Sequence, residues 1–167
     1  MSGQQIVPAT GAGGRGVRLA GETASRDYVT IYIADQLFGI PVLQVQDVLG
    51  PQRITRVPLA PPEVAGSLNL RGRIVTAIDL RRRLHLPPRD AKGMSVVVDL
   101  KGELYSLLVD NVGEVLSLSA STFEVNPATL DQTWREVSVG IHRLEGSLII
   151  ILDVARLLDF SGNISAA

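Results

Sequence analysis

The segment Asn69 to Leu84, NLRGRIVTAIDLRRRL, has an echo at Arg143 to Leu158, RLEGSLIIILDVARLL. A displacement of 74 places Gly72 on Gly146, Ile74 on Leu148, Ile78 on Leu152, Asp79 on Asp153 and Leu84 on Leu158. Upstream, a displacement of 67 places Val29 on Val96, Ile31 on Val98, Phe38 on Tyr105, Ile40 on Leu107, Val45 on Val112, Asp47 on Glu114 and Val48 on Val115. The period exceeds that of solenoids and there are only two copies, so the pattern describes a small domain built twice. A chain of 167 residues then holds two halves sharing a core, with a surface between them.

The core material is β-forming. Apolar residues make up 46% of the chain but aromatics only 4%, so Val, Ile and Leu must fill the interior. Strands are expected at Tyr28 to Ile33, Leu37 to Val42, Gln44 to Leu49, Arg53 to Val57 and Ile74 to Ile78, with a turn or short helix over Glu63 to Gly66. Asp79 should cap a short helix, Leu80 to Leu84. The second copy repeats the scheme at Ser95 to Leu100, Glu103 to Val109, Val112 to Leu116, within Thr133 to Ile141, and at Leu148 to Leu152. Asp153 should cap a last helix. Short strands with evenly spaced turns predict a mainly β, barrel-type fold. Residues 1–26, rich in Gly, Ala, Ser and Thr, read as a flexible tail, and residues 161–167 as a C-terminal tail. Gly11, Gly13 and Gly16 satisfy a G-x-G-x-x-G pattern there, but without the strand and helix that a dinucleotide site needs.

Composition excludes several chemistries. The chain has no cysteine, hence no disulfide, zinc–thiolate site or cysteine nucleophile. His85 and His142 are distant in sequence and lack local metal-ligand spacing, so no metal or other cofactor is expected. No G-x-S-x-G nucleophile motif occurs. No signal peptide or membrane-spanning run is seen, which predicts no direct membrane insertion. Net charge is −1 and aromatics are scarce, which argues against nucleic acid even though Arg81, Arg82 and Arg83 form a basic run. That run reads as a solvated helix face, with an acidic protein surface as its other use. Arg71 stands apart, in a tight turn between a short helix and a strand, where it can reach a carboxylate; Asp47 is the candidate by charge.

Four segments resemble the CheW family of bacterial chemotaxis coupling proteins: FGIPVLQVQDVL at Phe38 to Leu49, GSLNLRGRIVTAIDLRRRL at Gly66 to Leu84, LLVDNVGEVLSL at Leu107 to Leu118, and GIHRLEGSLIIILDVARLL at Gly140 to Leu158. The resemblance implies a CheW-like domain over 27–160. It implies two similar five-stranded β-barrels packed together, about 27–90 and 91–160, with room for strand or helix exchange between them, plus short helices and a C-terminal helix. It implies a free-standing, non-enzymatic, cytoplasmic adaptor recruited to membrane-associated receptor arrays. The partners it implies are the regulatory domain of a CheA-type histidine kinase and the cytoplasmic tip of a methyl-accepting chemoreceptor. Carried over by position, the receptor or kinase surface comprises Val45, Asp47, Val48, Gly66, Asn69, Arg71, Val96, Val112 and Val115. Asp47 stands where Glu is commoner, Thr76 where proline is usual and Ser106 where glycine is frequent. A related scaffold of a non-flagellar pathway shares all these features. A small β-barrel enzyme using His85 or His142 and a nucleic-acid-binding barrel using Arg71 to Arg89 are the remote alternatives.

Overall fold

A computed structural model describes residues 24–89 and 93–160. The glycine pattern at Gly11 to Gly16 and the segment 161–167 lie outside them. Among the described residues eleven strands run in chain order: β1 Ser25–Ile33, β2 Gln36–Pro41, β3 Val45–Leu49, β4 Val64–Leu70, β5 Arg73–Asp79, β6 Met94–Leu100, β7 Glu103–Val109, β8 Asn111–Ser119, β9 Phe123–Glu124, β10 Ser138–Leu144 and β11 Ser147–Leu152. Among the described residues three short α-helices accompany them: α1 Leu80–Arg83, α2 Gln132–Glu136 and α3 Val154–Leu157.

One sheet has the order β8-β1-β2-β11-β10-β9 and the other β3-β6-β7-β5-β4. The two displacements found in the sequence map β1, β2 and β3 onto β6, β7 and β8, and β4 and β5 onto β10 and β11. Applied to the second sheet, they regenerate the first without β9. Sheet membership does not follow the chain halves: β1 and β2 join strands of the second copy, while β6 and β7 join strands of the first. First and last strands do not pair in either sheet, so each is an unclosed barrel.

Three clusters fill the interior. Tyr28, Ile149 and Ile151 pack with Leu37, Leu116, Leu118 and Leu144 inside the six-stranded sheet. Leu68, Val75 and Ala77 pack with Ile54, Leu70, Leu104 and Leu108 inside the five-stranded one. The largest cluster, including Ile31, Phe38, Ile78, Val96, Leu107, Ile141 and Ile150, joins both sheets. Alternation on β11 explains the layering: Ile149 and Ile151 face the small core, Ile150 and Leu152 the shared one.

The helix caps form as expected. Asp79 accepts from the backbone N–H groups of Arg81 and Arg82, and Asp153 from that of Arg156. Several expectations need correction. The first strand begins at Ser25, inside the segment read as a tail. Arg53 to Val57 is not a strand but contributes one bridge, Thr55 to Ser67. Glu63 to Gly66 is not a helical turn; Val64 opens β4. Within Thr133 to Ile141, α2 precedes the strand. The basic run is not simply a solvated face. Arg81 is held by Asp110. Arg83 donates from Nε to the Leu157 carbonyl at 2.7 Å and from Nη2 to that of Arg156 at 2.9 Å, and its guanidinium lies over Phe160. With Trp134 Nε1 donating to the Leu84 carbonyl at 3.1 Å, these bonds clamp the first copy's helix to those of the second.

Ser106 occupies the position equivalent to Gly39 and is fully buried, with its hydroxyl unpartnered among the described residues. An orphaned buried hydroxyl is destabilising, so Ser106→Ala should raise stability by about 1 kcal/mol. Chemical denaturation checks this; a lowered midpoint would show that the hydroxyl has a partner.

Candidate functional site

The residues carried over from the resemblance fall into three groups. Val45, Val96 and Val112 belong to or pack against the shared core. Val96 is fully buried, so it can affect a surface only through its neighbours. Val48 and Val115 are exposed, on β3 and β8. These two strands are equivalents of one another, and each is an edge with a single hydrogen-bonded neighbour. Val45 and Val112, like Val48 and Val115, are therefore one position seen twice.

Gly66 has a structural reason of its own. It sits at a register shift of β4 with φ of +151°, and a Cβ there would collide with the Thr55 carbonyl and lie 2.8 Å from Cγ2 of Ile54. Gly140, its counterpart at φ +157°, is closed in the same way by Phe123 and Glu124. The Thr55 bridge in one sheet and β9 in the other are thus the same covering strand, reduced in the first copy.

Asn69, Arg71 and Asp47 form a unit. Arg71 and Gly72 are the central residues of the β4–β5 hairpin and not of a helix-to-strand turn. Both have positive φ, +52° and +83°, as a two-residue hairpin turn of the primed type requires. Asn69 Oδ1 accepts from Gly72 N at 3.0 Å and closes the turn. Arginine has no preference for the left-handed region, so the turn holds it against a local conformational cost. From there Arg71 Nη2 donates to Asp47 Oδ2 at 2.8 Å, while Asp47 Oδ1 accepts from Val48 N at 2.9 Å. The partner expected from charge is the one found.

The location of this pair matters more than its energy. Asp47 lies on β3, the first strand of the five-stranded order, and Arg71 at the end of β4, the last. The ion pair therefore spans the gap where the sheet fails to close. The other sheet has Glu114 and Glu145 at the equivalent positions, and like charges cannot make that bridge. Arg71 is 74% exposed, so a second acceptor has free access to it.

Asp110 was not singled out from the sequence. It lies where the chain leaves β7 for β8 and crosses between the sheets. Arg81 grips it in two places, Nε to Oδ1 at 2.9 Å and Nη2 to Oδ2 at 2.7 Å. Ala34 N donates to it at 2.8 Å and Arg89 lies 3.3 Å away. The Arg81 hydrogen bonds, aided by the Ala34 amide and opposed by burial, lower its pKa to about 2. No signal within 20 residues of Asp110 could have revealed this, since Arg81 is 29 residues distant.

The histidines do not converge on a common group of ligands. His85 Nδ1 lies 3.1 Å from the Thr133 hydroxyl, and His142 Nδ1 lies 2.8 Å from that of Thr122. Among the described residues no three metal-ligating side chains cluster, and no helix is long and apolar enough to cross a membrane.

Two unclosed barrels on one core, with two equivalent edge strands and an exposed ion pair at one seam, define a double β-barrel scaffold. The CheW-like domain family model matches residues 27–161. The chemotaxis protein CheW of Klebsiella aerogenes is 30% identical over 143 residues, covering 84% of this chain and 86% of that protein. CheW of Bacillus subtilis is 29% identical over 134 residues, covering 77% and 84% respectively. The crystal structure of the scaffolding protein TtCheW from Thermoanaerobacter tengcongensis superposes with a TM-score of 0.75 at 28% identity, covering 83% of this chain and 96% of that one. The chain belongs to the CheW-like family, and its role is that of a chemotaxis adaptor or scaffold. That family is one of scaffolds, not of known enzymes.

Proposed function

We propose that this chain, without catalysing a reaction itself, couples the regulatory domain of a CheA-type histidine kinase to the cytoplasmic tip of a methyl-accepting chemoreceptor, and so is recruited to receptor arrays at the membrane. The observation that carries the reading is the seam of the five-stranded sheet. There Arg71 and Asp47 bridge the first and last strands beside the exposed Val48, and the edge bearing Val115 repeats the apolar element without the charge pair. A scaffold needs two unlike faces, and divergence of two equivalent edges supplies them. Contacts of modest strength at each gain from effective concentration once several partners are assembled.

Mixing the full chain with a CheA-type regulatory domain and a receptor-tip fragment tests the reading; binding to neither, with all three folded, overturns it. Arg71→Ala should weaken kinase coupling by about tenfold, equivalent to ~1.4 kcal/mol. Because exposed ion pairs contribute little, folding stability should change by less than about 1 kcal/mol. Exchanging the two residues, Asp47→Arg with Arg71→Asp, separates two roles. Recovery of coupling assigns the effect to the bridged seam, and failure to recover assigns it to direct contact by Arg71. Unchanged coupling in Arg71→Ala removes the residue from the site.

A further inference from the structure

The mouth of the five-stranded barrel opens on a groove of about 600 Å³, and Ser95 lines it. Alternation on β6 explains why. Val96 and Val98 face the shared core, so Ser95 lies on the other side of the strand, toward the small core, with Leu108 as its cross-strand partner. Ser95 is 2% exposed and its hydroxyl has no partner among the described residues. An unmet buried hydroxyl costs free energy that an arriving polar group recovers. Ser106, orphaned in the same way, does not line the groove.

The charges around the groove select what can arrive. Arg53, Arg81 and Arg89 against Asp79 and Asp110 leave one positive charge. Arg81 is committed to both oxygens of Asp110 and to the Pro87 carbonyl. Asp79 is turned to the backbone amides of Arg81 and Arg82. Arg89 reaches Asp110 at 3.3 Å with its side chain 40% exposed. Arg53 is exposed and makes no hydrogen bond or ion pair among the described residues. A monoanion balances this charge, and the guanidinium fork matches a carboxylate. A dianion such as phosphate exceeds it. Ile54, Met94 and Leu108 complete the lining with apolar surface that suits a short aliphatic stem. The second barrel lacks this chemistry. The displacement of 67 pairs Ser95 with Tyr28, Arg53 with Ala120 and Asp110 with Leu43, and all three counterparts line the groove of that barrel.

We propose that the mouth of the five-stranded barrel binds a carboxylate carried on a short aliphatic stem, with Arg53 and Arg89 supplying the charge, Ser95 donating to the carboxylate, and Ile54, Met94 and Leu108 packing the stem. Two sources share that chemistry, a free aliphatic acid and a glutamate side chain of a partner protein. The groove shares no lining residue with the Asp47–Arg71 seam, so the site is independent of the kinase coupling proposed above.

The test titrates the full chain with butyrate, butyramide, inorganic phosphate and the peptide acetyl-Gly-Gly-Glu-Gly-Gly-amide, following the NMR shifts of the Arg53, Ile54, Met94 and Ser95 amides. Butyrate should bind about tenfold more tightly than butyramide and more tightly than phosphate. Arg53→Gln, at an exposed position, should abolish that preference, and Arg53→Lys should keep most of it. Ser95→Ala should weaken butyrate about fivefold while raising the denaturation midpoint of the unliganded chain. Ser106→Ala should raise the midpoint and leave butyrate binding unchanged. A merely structural serine would not move the two measurements in opposite directions. Peptide binding equal to that of butyrate or tighter assigns the site to a protein side chain; exclusion of the peptide with butyrate bound assigns it to a free acid. Equal binding of butyrate and butyramide, tighter binding of phosphate, a preference surviving in Arg53→Gln, or butyrate binding indifferent to Ser95→Ala each overturn the proposal.

Discussion

Asp110→Asn should destabilise the protein by about 2 kcal/mol, the free energy equivalent of a carboxyl pKa displaced from 3.8 to about 2. The side chains of Arg81 and Asp110 are only 17% and 14% exposed, so this pair is not screened as a surface pair is. Its loss leaves the guanidinium of Arg81 beside a neutral amide. The pH dependence has a defined sign. The folded pKa lies below the unfolded one, so the contribution is complete above about pH 4 and disappears as pH falls toward 2. The native chain should therefore lose stability across that acid window, and Asp110→Asn should lack this component. Denaturant unfolding at neutral pH and in the acid window measures both. Equal slopes for the two proteins would show that the carboxylate is not held as described.

Gly66→Ala should cost about 3 kcal/mol, from a positive φ and from a Cβ driven into the Thr55 carbonyl. Gly72→Ala is the control. Its φ is also positive, at +83°, but nothing lies within 4 Å, so only the conformational cost of about 1 kcal/mol applies. Thermal or denaturant unfolding distinguishes them, and equal losses would refute the close approach of the covering segment. The same experiment bears on the interaction site. Gly66 was carried over as a partner-facing residue, and loss of coupling in Gly66→Ala accompanied by unfolding would trace to Thr55 and Ile54 rather than to a missing contact.

What could be read from the sequence divides by the range of the interactions. Asp79 and Asp153 were legible as caps because a cap acts on backbone amides two or three residues ahead. The strands Tyr28 to Ile33 and Leu37 to Val42, and Ser95 to Leu100 and Glu103 to Val109, were legible because each is a short apolar run bounded by polar residues. β4 was misread because Pro61-Pro62 and Gly66 look like helix-opening and breaking signals. Gly66 is instead a strand residue whose backbone angle serves a neighbouring segment. Arg53 to Val57 has the composition of a strand but meets β4 only at Thr55. Asp47 could be matched to Arg71 by charge, but not placed across an open seam, since strand order is a property of the whole sheet. Asp110 depends on Arg81, which no local pattern connects to it.

The reciprocal placement of β1–β2 and β6–β7 has the geometry of a strand-swapped homodimer joined end to end into one polypeptide. In a true homodimer every substitution appears on both sides, so an arginine gained at one seam is gained at the other. Covalent linkage lifts that symmetry constraint while keeping the interlocked core that makes each half depend on its neighbour. Arg71 opposite Glu145, Asp110 opposite Leu43 and Leu68 opposite His142 are independent departures from symmetry of this kind. A single gene can thereby present two chemically different ends at a fixed distance and angle, with no risk of assembling two identical ones.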